Sequence, residues 1–203
     1  MSRRRLPRAE SQSRIVEKAI RLFSKHGFNY TSFQQIADAC KIGQSTVLYH
    51  FPNKESLVEA VIQKIVIHNH ALVSAAIDES DSYLTRLEKH FEHNFSWALK
   101  YREEAEVVIL LYYLACSTKR FSAIYGKILA KARERICGYL EDGRRAGEFK
   151  FQGRAGLLAE ILHDALLGGI INVLTVNPPP PSISAKNWRV LIGQLAEPIS
   201  RNL

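Results

Sequence analysis

Cysteine, proline and glycine are all scarce in this 203-residue chain, with three, seven and eleven copies respectively. Three cysteines (Cys40, Cys116, Cys137) make no even disulfide framework, and so few scattered glycines and prolines exclude a collagen-like or low-complexity chain. Long apolar runs are missing as well. The longest, Ala165 to Val176, is interrupted by Asn172 and is shorter than the roughly 20 apolar residues that span a bilayer. The opening Met1-Ser2-Arg3-Arg4-Arg5 carries no apolar signal-peptide core. These absences point to a reduced, cytoplasmic protein without a membrane partner. With 46% apolar and 24% charged residues, the chain can bury a sizeable core.

Charge is unevenly placed. Residues 1–54 hold ten Lys/Arg against three acids, whereas residues 55–203 hold eighteen against seventeen, so nearly all of the formal +8 lies in the first quarter. Such an end is either a solubilising basic segment or a surface that meets a polyanion.

Apolar residues recur at intervals of three and four, and no Asn-Gly or Asp-Gly turn sits between alternating runs, which predicts an all-α fold of about nine helices. A first helix over about 11–25 places Ile15, Ala19, Leu22 and Phe23 on one face and stops at Gly27. Thr31 or Ser32 then caps a helix of about two turns with Phe33, Ile36 and Ala37 inward, followed by the turn Cys40-Lys41-Ile42-Gly43. A second short helix, about Gln44 to His50, turns Val47 inward and is closed by Pro52. Longer helices follow over about 54–76, 83–101, 103–117, 119–146, 154–176 and 185–202. Residues 148–152, between Gly147 and Gly153, read as an extended connection with a weaker strand alternative. Asn177-Pro178-Pro179-Pro180-Pro181 reads as a stiff spacer.

Two short helices around a tight turn form a helix-turn-helix, the second helix of which enters the DNA major groove. Its outward positions are Gln44, Ser45, Thr46, Tyr49 and His50. Gln bonds adenine bidentately, Ser and Thr serve base edges or phosphates, and Tyr and His donate to phosphate while packing on sugar or a thymine methyl.

The chain resembles the transcription regulators related to the tetracycline repressor. The match runs in order and spacing through Arg14-Ile15, Ala19, Phe23, Gly27-Phe28, Thr31-Ser32, Ile36-Ala37, Thr46, Phe51, Lys54-Glu55 and Leu57. Leu48 departs from it, standing where the family often has Tyr, and so does Gly43, where the family often has Ser. The resemblance implies a basic arm over 1–10, a DNA-binding domain over 11–57 and a ligand-binding and dimerisation domain over 58–203. By position it implies Gln44, Ser45 and Tyr49 nearest the bases, and Ser32, Thr46, His50 and Lys54 nearest phosphates. Capping serves equally as a role for Thr31 and Ser32. Arg3, Arg4, Arg5 and Arg8 read either as a solvated arm or as groups that follow the minor groove.

One small helix-turn-helix reads few bases, so specific affinity calls for a homodimer on a near-palindromic double-stranded operator. The last two long helices are the expected interface, through Leu158, Ile161, Leu162, Ala165, Gly169, Leu191 and Leu195, with a monomer core as the alternative. His90, Asn94, Trp97 and Tyr101 share one helix face, and with Tyr112, Tyr113 and Tyr125 they are candidates to line the cavity that the resemblance implies. The same stripe also fits an ordinary core. The expected partner there is a largely apolar or aromatic small-molecule effector that releases the protein from its operator.

No nucleophile elbow or Gly-rich phosphate loop is present, His68 and His70 are two apart on a helix and point in different directions, and no acid or thiol nearby completes a metal set with His90 and His93. The chain is expected to be neither an enzyme nor a user of metal or cofactor. The competing reading is an architectural or recruitment DNA-binding protein whose C-terminal domain only dimerises or binds a protein.

Overall fold

The computed structural model describes residues 7–176 together with Trp188, Val190 and Ile192. Arg3, Arg4, Arg5, the proline spacer, Leu191 and Leu195 lie outside the described residues. Eight helices and no strand occur among those described, as an all-α fold requires. Trp188, Val190 and Ile192 are helical, at the place of the ninth.

Helix α1 (Arg8–His26) buries Ile15, Val16, Ala19, Ile20 and Phe23, and it starts three residues earlier than its apolar periodicity suggests. Pro7 occupies its N-cap, a place where a residue without an N–H loses nothing, so part of the basic arm is helical. Gly27 ends the helix at φ +78° and donates its N–H to the Phe23 carbonyl at 2.8 Å. Thr31 is not a cap. Its buried hydroxyl donates toward the Leu22 and Gly27 carbonyls, 3.2 and 2.9 Å away, and so satisfies the end of α1.

Ser32 caps α2 (Phe33–Cys40). The Gln35 N–H donates to Ser32 Oγ at 3.2 Å, and the Ser32 N–H donates to Gln35 Oε1 at 2.7 Å, a reciprocal capping box. Lys41 leaves the helix in the left-handed conformation, φ 54° and ψ 44°. The Ile42 and Lys41 N–H groups then donate to the Ala37 and Asp38 carbonyls, both at 3.0 Å, which closes the turn. Helix α3 (Gln44–His50) anchors itself through Val47, and Phe51 follows it into the core. Asn53 accepts from the Ser56 N–H at 2.8 Å and opens α4 (Lys54–Ala75).

The remaining helices are α5 (Tyr83–Lys100), α6 (Arg102–Ser117), α7 (Lys119–Arg145) and α8 (Ala155–Thr175). The chain divides into two compact units. The first comprises the residues up to His68 and Glu103–Tyr113; the second comprises Asn69–Arg102 and the residues from Leu114 onward. Helices α4 and α6 therefore each contribute to both units.

In the first unit α2 packs on α1 and α3, burying Phe23, Ile36, Val47, Phe51 and Leu57 together. Three pairs tie α1 and α4 to their neighbours: Lys64–Glu17 at 2.8 Å, Arg21–Glu103 at 3.6 Å and His68–Glu104 at 2.8 Å. In the second unit α5, α7 and α8 pack against one another around Leu87, Phe91, Phe95, Ile136, Leu140 and Leu166. Residues 148–152 form no strand. Phe149 instead drops into this core against Gly143, and the Glu148 carboxylate accepts from the Leu84 N–H at 3.0 Å.

By length and composition alone α8 is long and apolar enough to cross a membrane, contrary to the limit set by the run from Ala165. One face of it is packed in the core of the second unit through Ala159, Leu162, Leu166 and Val173. Its Glu160 and Asp164 pair with Arg133 of α7, at 3.7 and 2.9 Å.

Candidate nucleic-acid interface

The turn at Lys41 aims α3 so that only Val47 is buried, and the rest of this short helix is left for contact. Gln44, Ser45 and Tyr49 are exposed, while Thr46 and His50 are half-buried at the flanks. Leu48, which the pattern of polar residues passes over, is 44% exposed and lies one turn beyond Gln44 on the same outer face. The i, i+4 spacing from Gln44 was the signal for it. The outer surface is thus two short rows, Gln44–Leu48 and Ser45–Tyr49.

Arg8 reaches this surface from the first turn of α1, its guanidinium 5.5 Å from the centre of the Tyr49 ring. The His50 ring stands edge-on to Tyr49 at 5.3 Å. Burial, and then the charge of Arg8, push the His50 pKa below its ordinary value, which favours the neutral ring.

Beside α3 an open groove of about 370 Å³ is lined by Asn29, Tyr30, Thr31, Ser32, Phe33, Gln44 and Lys54. It lies where α2, α3 and α4 begin. Helix geometry leaves the Phe33 and Gln34 N–H groups without intrahelical partners at this end, an arrangement that suits an anionic oxygen. Lys54 supplies the cation: its Nζ donates to the Asn29 carbonyl at 3.3 Å and sits 4.7 Å over the Phe28 ring. Burial draws the Lys54 pKa down, and Glu55 opposes that. Tyr30, 82% exposed at the rim, is a further aromatic of this groove that no helical periodicity marks in the sequence.

Residues 15–61 match the family model for bacterial regulatory proteins of the tetR family, and this segment holds the later turns of α1, the capping box, α3 and the start of α4. The helix-turn-helix segment is thus similar to that of the tetR family. It is 40% identical over 53 residues to the HTH-type transcriptional regulator YuxN of Bacillus subtilis, a match that covers 26% of this chain and only 18% of YuxN. The HTH-type transcriptional regulatory protein RaaS of Mycobacterium tuberculosis is 25% identical over 175 residues, covering 86% of this chain and 76% of RaaS. Among solved structures, a candidate transcriptional regulator from Saccharomonospora viridis in complex with choline shares the fold. Its TM-score is 0.79 at 22% identity, over 92% of this chain and 95% of that one.

The aromatic candidates separate. His90, Asn94 and Trp97 are buried on α5, and Tyr101 and Tyr125 are half-buried, all in the second unit. Tyr112 is half-buried in the first unit. Tyr113, 66% exposed, faces outward, because α6 buries Ala105, Val107, Leu111 and Leu114 and is not apolar all round in its setting.

The expected interface residues separate as well. Leu162 and Gly169 are buried within the chain's own core and Leu158 packs at its edge. Ile161 and Ala165 point outward together with Leu157, and Leu157 and Ile161 are 59% and 57% exposed. A helix apolar on every side gives no periodic signal for which stripe is inner, and the structure supplies that division.

Proposed function

We propose that this chain is a sequence-specific transcriptional regulator, not an enzyme, and that it reads a near-palindromic operator as a homodimer and leaves it when a small-molecule effector binds. The observation that carries the reading is the outer face of α3: Gln44, Ser45, Leu48 and Tyr49 project from a rigid capped domain in a surround rich in Lys and Arg. Gln44, Ser45 and Tyr49 serve the bases and Leu48 a thymine methyl. Ser32, Thr46, His50 and Lys54 serve phosphates, with Arg8 and the basic arm over 1–10 alongside. Residues 11–57 are the reading domain. Residues 58–203 bind the effector and join the two copies, and the site of action is the cytoplasm, where DNA lies.

The exposed row Leu157, Ile161 and Ala165 on α8 is the surface that a second copy covers, in agreement with an apolar stripe left open on an otherwise packed helix. The effector has a largely apolar or aromatic body, in keeping with the aromatic interior around His90, Asn94 and Trp97. Choline does not carry over to this chain, because the half-buried Arg135 of the second unit has no counter-ion among the described residues and a second cation beside it would be repelled. Helices α4 and α6, shared between the units, are the elements through which effector and DNA oppose each other, at a coupling of roughly 1–3 kcal/mol.

The test is fluorescence anisotropy of the full chain on a pool of random duplexes across a salt series, with the mass of the bound species measured in parallel. Two chains per duplex, with a fraction of the pool bound far more tightly than the rest, is the expected result. Uniform weak binding that vanishes with salt contradicts it.

A further inference from the structure

Three helices of the second unit bring cationic and hydrogen-bonding side chains together without a carboxylate. Helix α5 carries Arg86, His90 and Asn94 at steps of four, α7 carries Lys131, Arg135 and Tyr139 at the same steps, and the last turns of α4 add Asn69 and His70. The His90 and Tyr139 rings meet edge-on at 6.1 Å. Asn94 Nδ2 donates to the His90 carbonyl at 2.7 Å, and Asn69 Nδ2 donates to Asn94 Oδ1 at 3.2 Å, which fixes the floor of the cluster. Yet His90 Nδ1 is buried with no hydrogen-bond partner, and so is the indole N–H of Trp188, whose ring stacks on Phe91 at 4.4 Å.

Arg135 is the centre of the imbalance. It is half-buried and, among the described residues, makes neither an ion pair nor a hydrogen bond. The charged groups that act on His90 are Arg135, His163 and His70; those on His70 are Arg135 and Lys131; those on Tyr139 are Arg135 and Arg86. No acid appears among them. Arg86 adds only a further cation, with donors spent on the Asp81 and Glu79 carbonyls. A guanidinium half withdrawn from water with no anion among the described residues destabilises a fold, and a bound anionic ligand would offset that cost.

We propose that Arg135, with His90, His70 and Tyr139 around it, is a carboxylate-binding site, and that the effector of this regulator is a small monocarboxylic acid with an apolar body. The identification as an effector site rests on the reading of the second unit given above; the site itself does not. A planar guanidinium takes a carboxylate through two parallel N–H donors. Burial holds His90 at about 3, so its ring is neutral and adds a donor without a second charge. Burial also raises the Tyr139 pKa, which keeps that phenol a hydroxyl donor. Arg86 is tied to backbone carbonyls and Lys131 is exposed, which leaves Arg135 to face the ligand and matches a monoanion better than a dianionic phosphate. Phe91 and Trp188 supply the apolar side.

The chain's two tryptophans, Trp97 and Trp188, both lie in this unit, so intrinsic fluorescence of the full-length protein reports on it. Straight-chain carboxylates from acetate to dodecanoate are titrated beside the matching alcohols and alkylammonium ions. The expected result is saturable binding of at least one carboxylate about tenfold or more tighter than its alcohol, with no binding of the ammonium ion. Arg135→Gln removes that preference while leaving the melting temperature of the unliganded protein equal or higher, and the exposed-site control Lys119→Gln retains it. If no carboxylate outbinds its alcohol, or if the preference survives Arg135→Gln, the site is overturned. Anisotropy on the duplex pool separates the two readings. A carboxylate bound through Arg135 that leaves DNA affinity unchanged sustains the site and removes its role as effector site.

Discussion

Gly169 of α8 lies so close to Phe95 of α5 that a Cβ built on it would stand 2.7 Å from the ring edge. The glycine is there to let two helices of one chain approach. Gly169→Ala is therefore expected to destabilise by about 1–3 kcal/mol, and Phe95→Leu in the same chain should recover part of the loss. Urea unfolding of the single and double variants measures both. The adjacent Gly168 has nothing within 4 Å of the same built atom, so a neutral or stabilising Gly168→Ala sharpens the contrast.

The two faces of α8 give opposite expectations for neighbouring residues. Ile161→Glu places a charge on the exposed stripe and is expected to yield folded monomers, seen by sedimentation, with a melting temperature that no longer depends on protein concentration. Leu162→Ala, one residue on, empties core volume and is expected to cost about 2–5 kcal/mol without that change in mass. A dimer of undiminished affinity in Ile161→Glu refutes the proposed interface.

Much of this molecule is legible in its sequence, and the gaps have physical causes. Helices α2 and α3 are short, capped and bounded by turn residues, so Ser32, Val47 and Gln44 fall where local chemistry places them. Lys41 is harder to foresee, because the left-handed end of α2 uses a lysine where glycine would relieve the strain. Periodicity fails on α8, where nearly every position is apolar, and does not tell buried Leu162 and Gly169 from exposed Ile161. It also fails for Leu48, an apolar residue on a polar reading face. The lone guanidinium of Arg135 has no sequence signature, since it depends on which residues of α4 and α5 come to face α7.

Acid is expected to weaken the fold through His90. Its pKa is pushed down to about 3 by burial, then by Arg135, His163 and His70, against an ordinary value of 6.5. Between those two values the unfolded chain binds the proton and the folded chain does not, so stability is lost as the pH falls through that window. One such group contributes a slope of up to about 1.4 kcal/mol per pH unit. Urea midpoints at a series of pH values measure the slope, and His90→Gln should flatten it. An equal slope in that variant contradicts the assignment.

Phosphate contacts are expected to register in the salt dependence of DNA binding. Lys54→Ala and Arg8→Ala should each lower the slope of log affinity against log salt by about 1, with little effect on which sequences are preferred. Tyr49 gives a control on Arg8, since the cation stacked on its ring also sets where that ring stands. If Arg8→Ala leaves the slope intact but relaxes sequence preference, the arginine positions Tyr49 and does not meet phosphate.

The central claim is that the outer face of α3 reads bases, and selection from random duplex DNA followed by sequencing tests it most directly when wild-type protein and Gln44→Ala are run side by side. The expected wild-type product is a near-palindrome bound by two chains. In Gln44→Ala the same palindrome should return with one adenine-bearing position per half-site relaxed, a loss of about 1–3 kcal/mol of discrimination there. No recurrent motif for the wild-type chain, or an identical motif at every position for the variant, contradicts the claim.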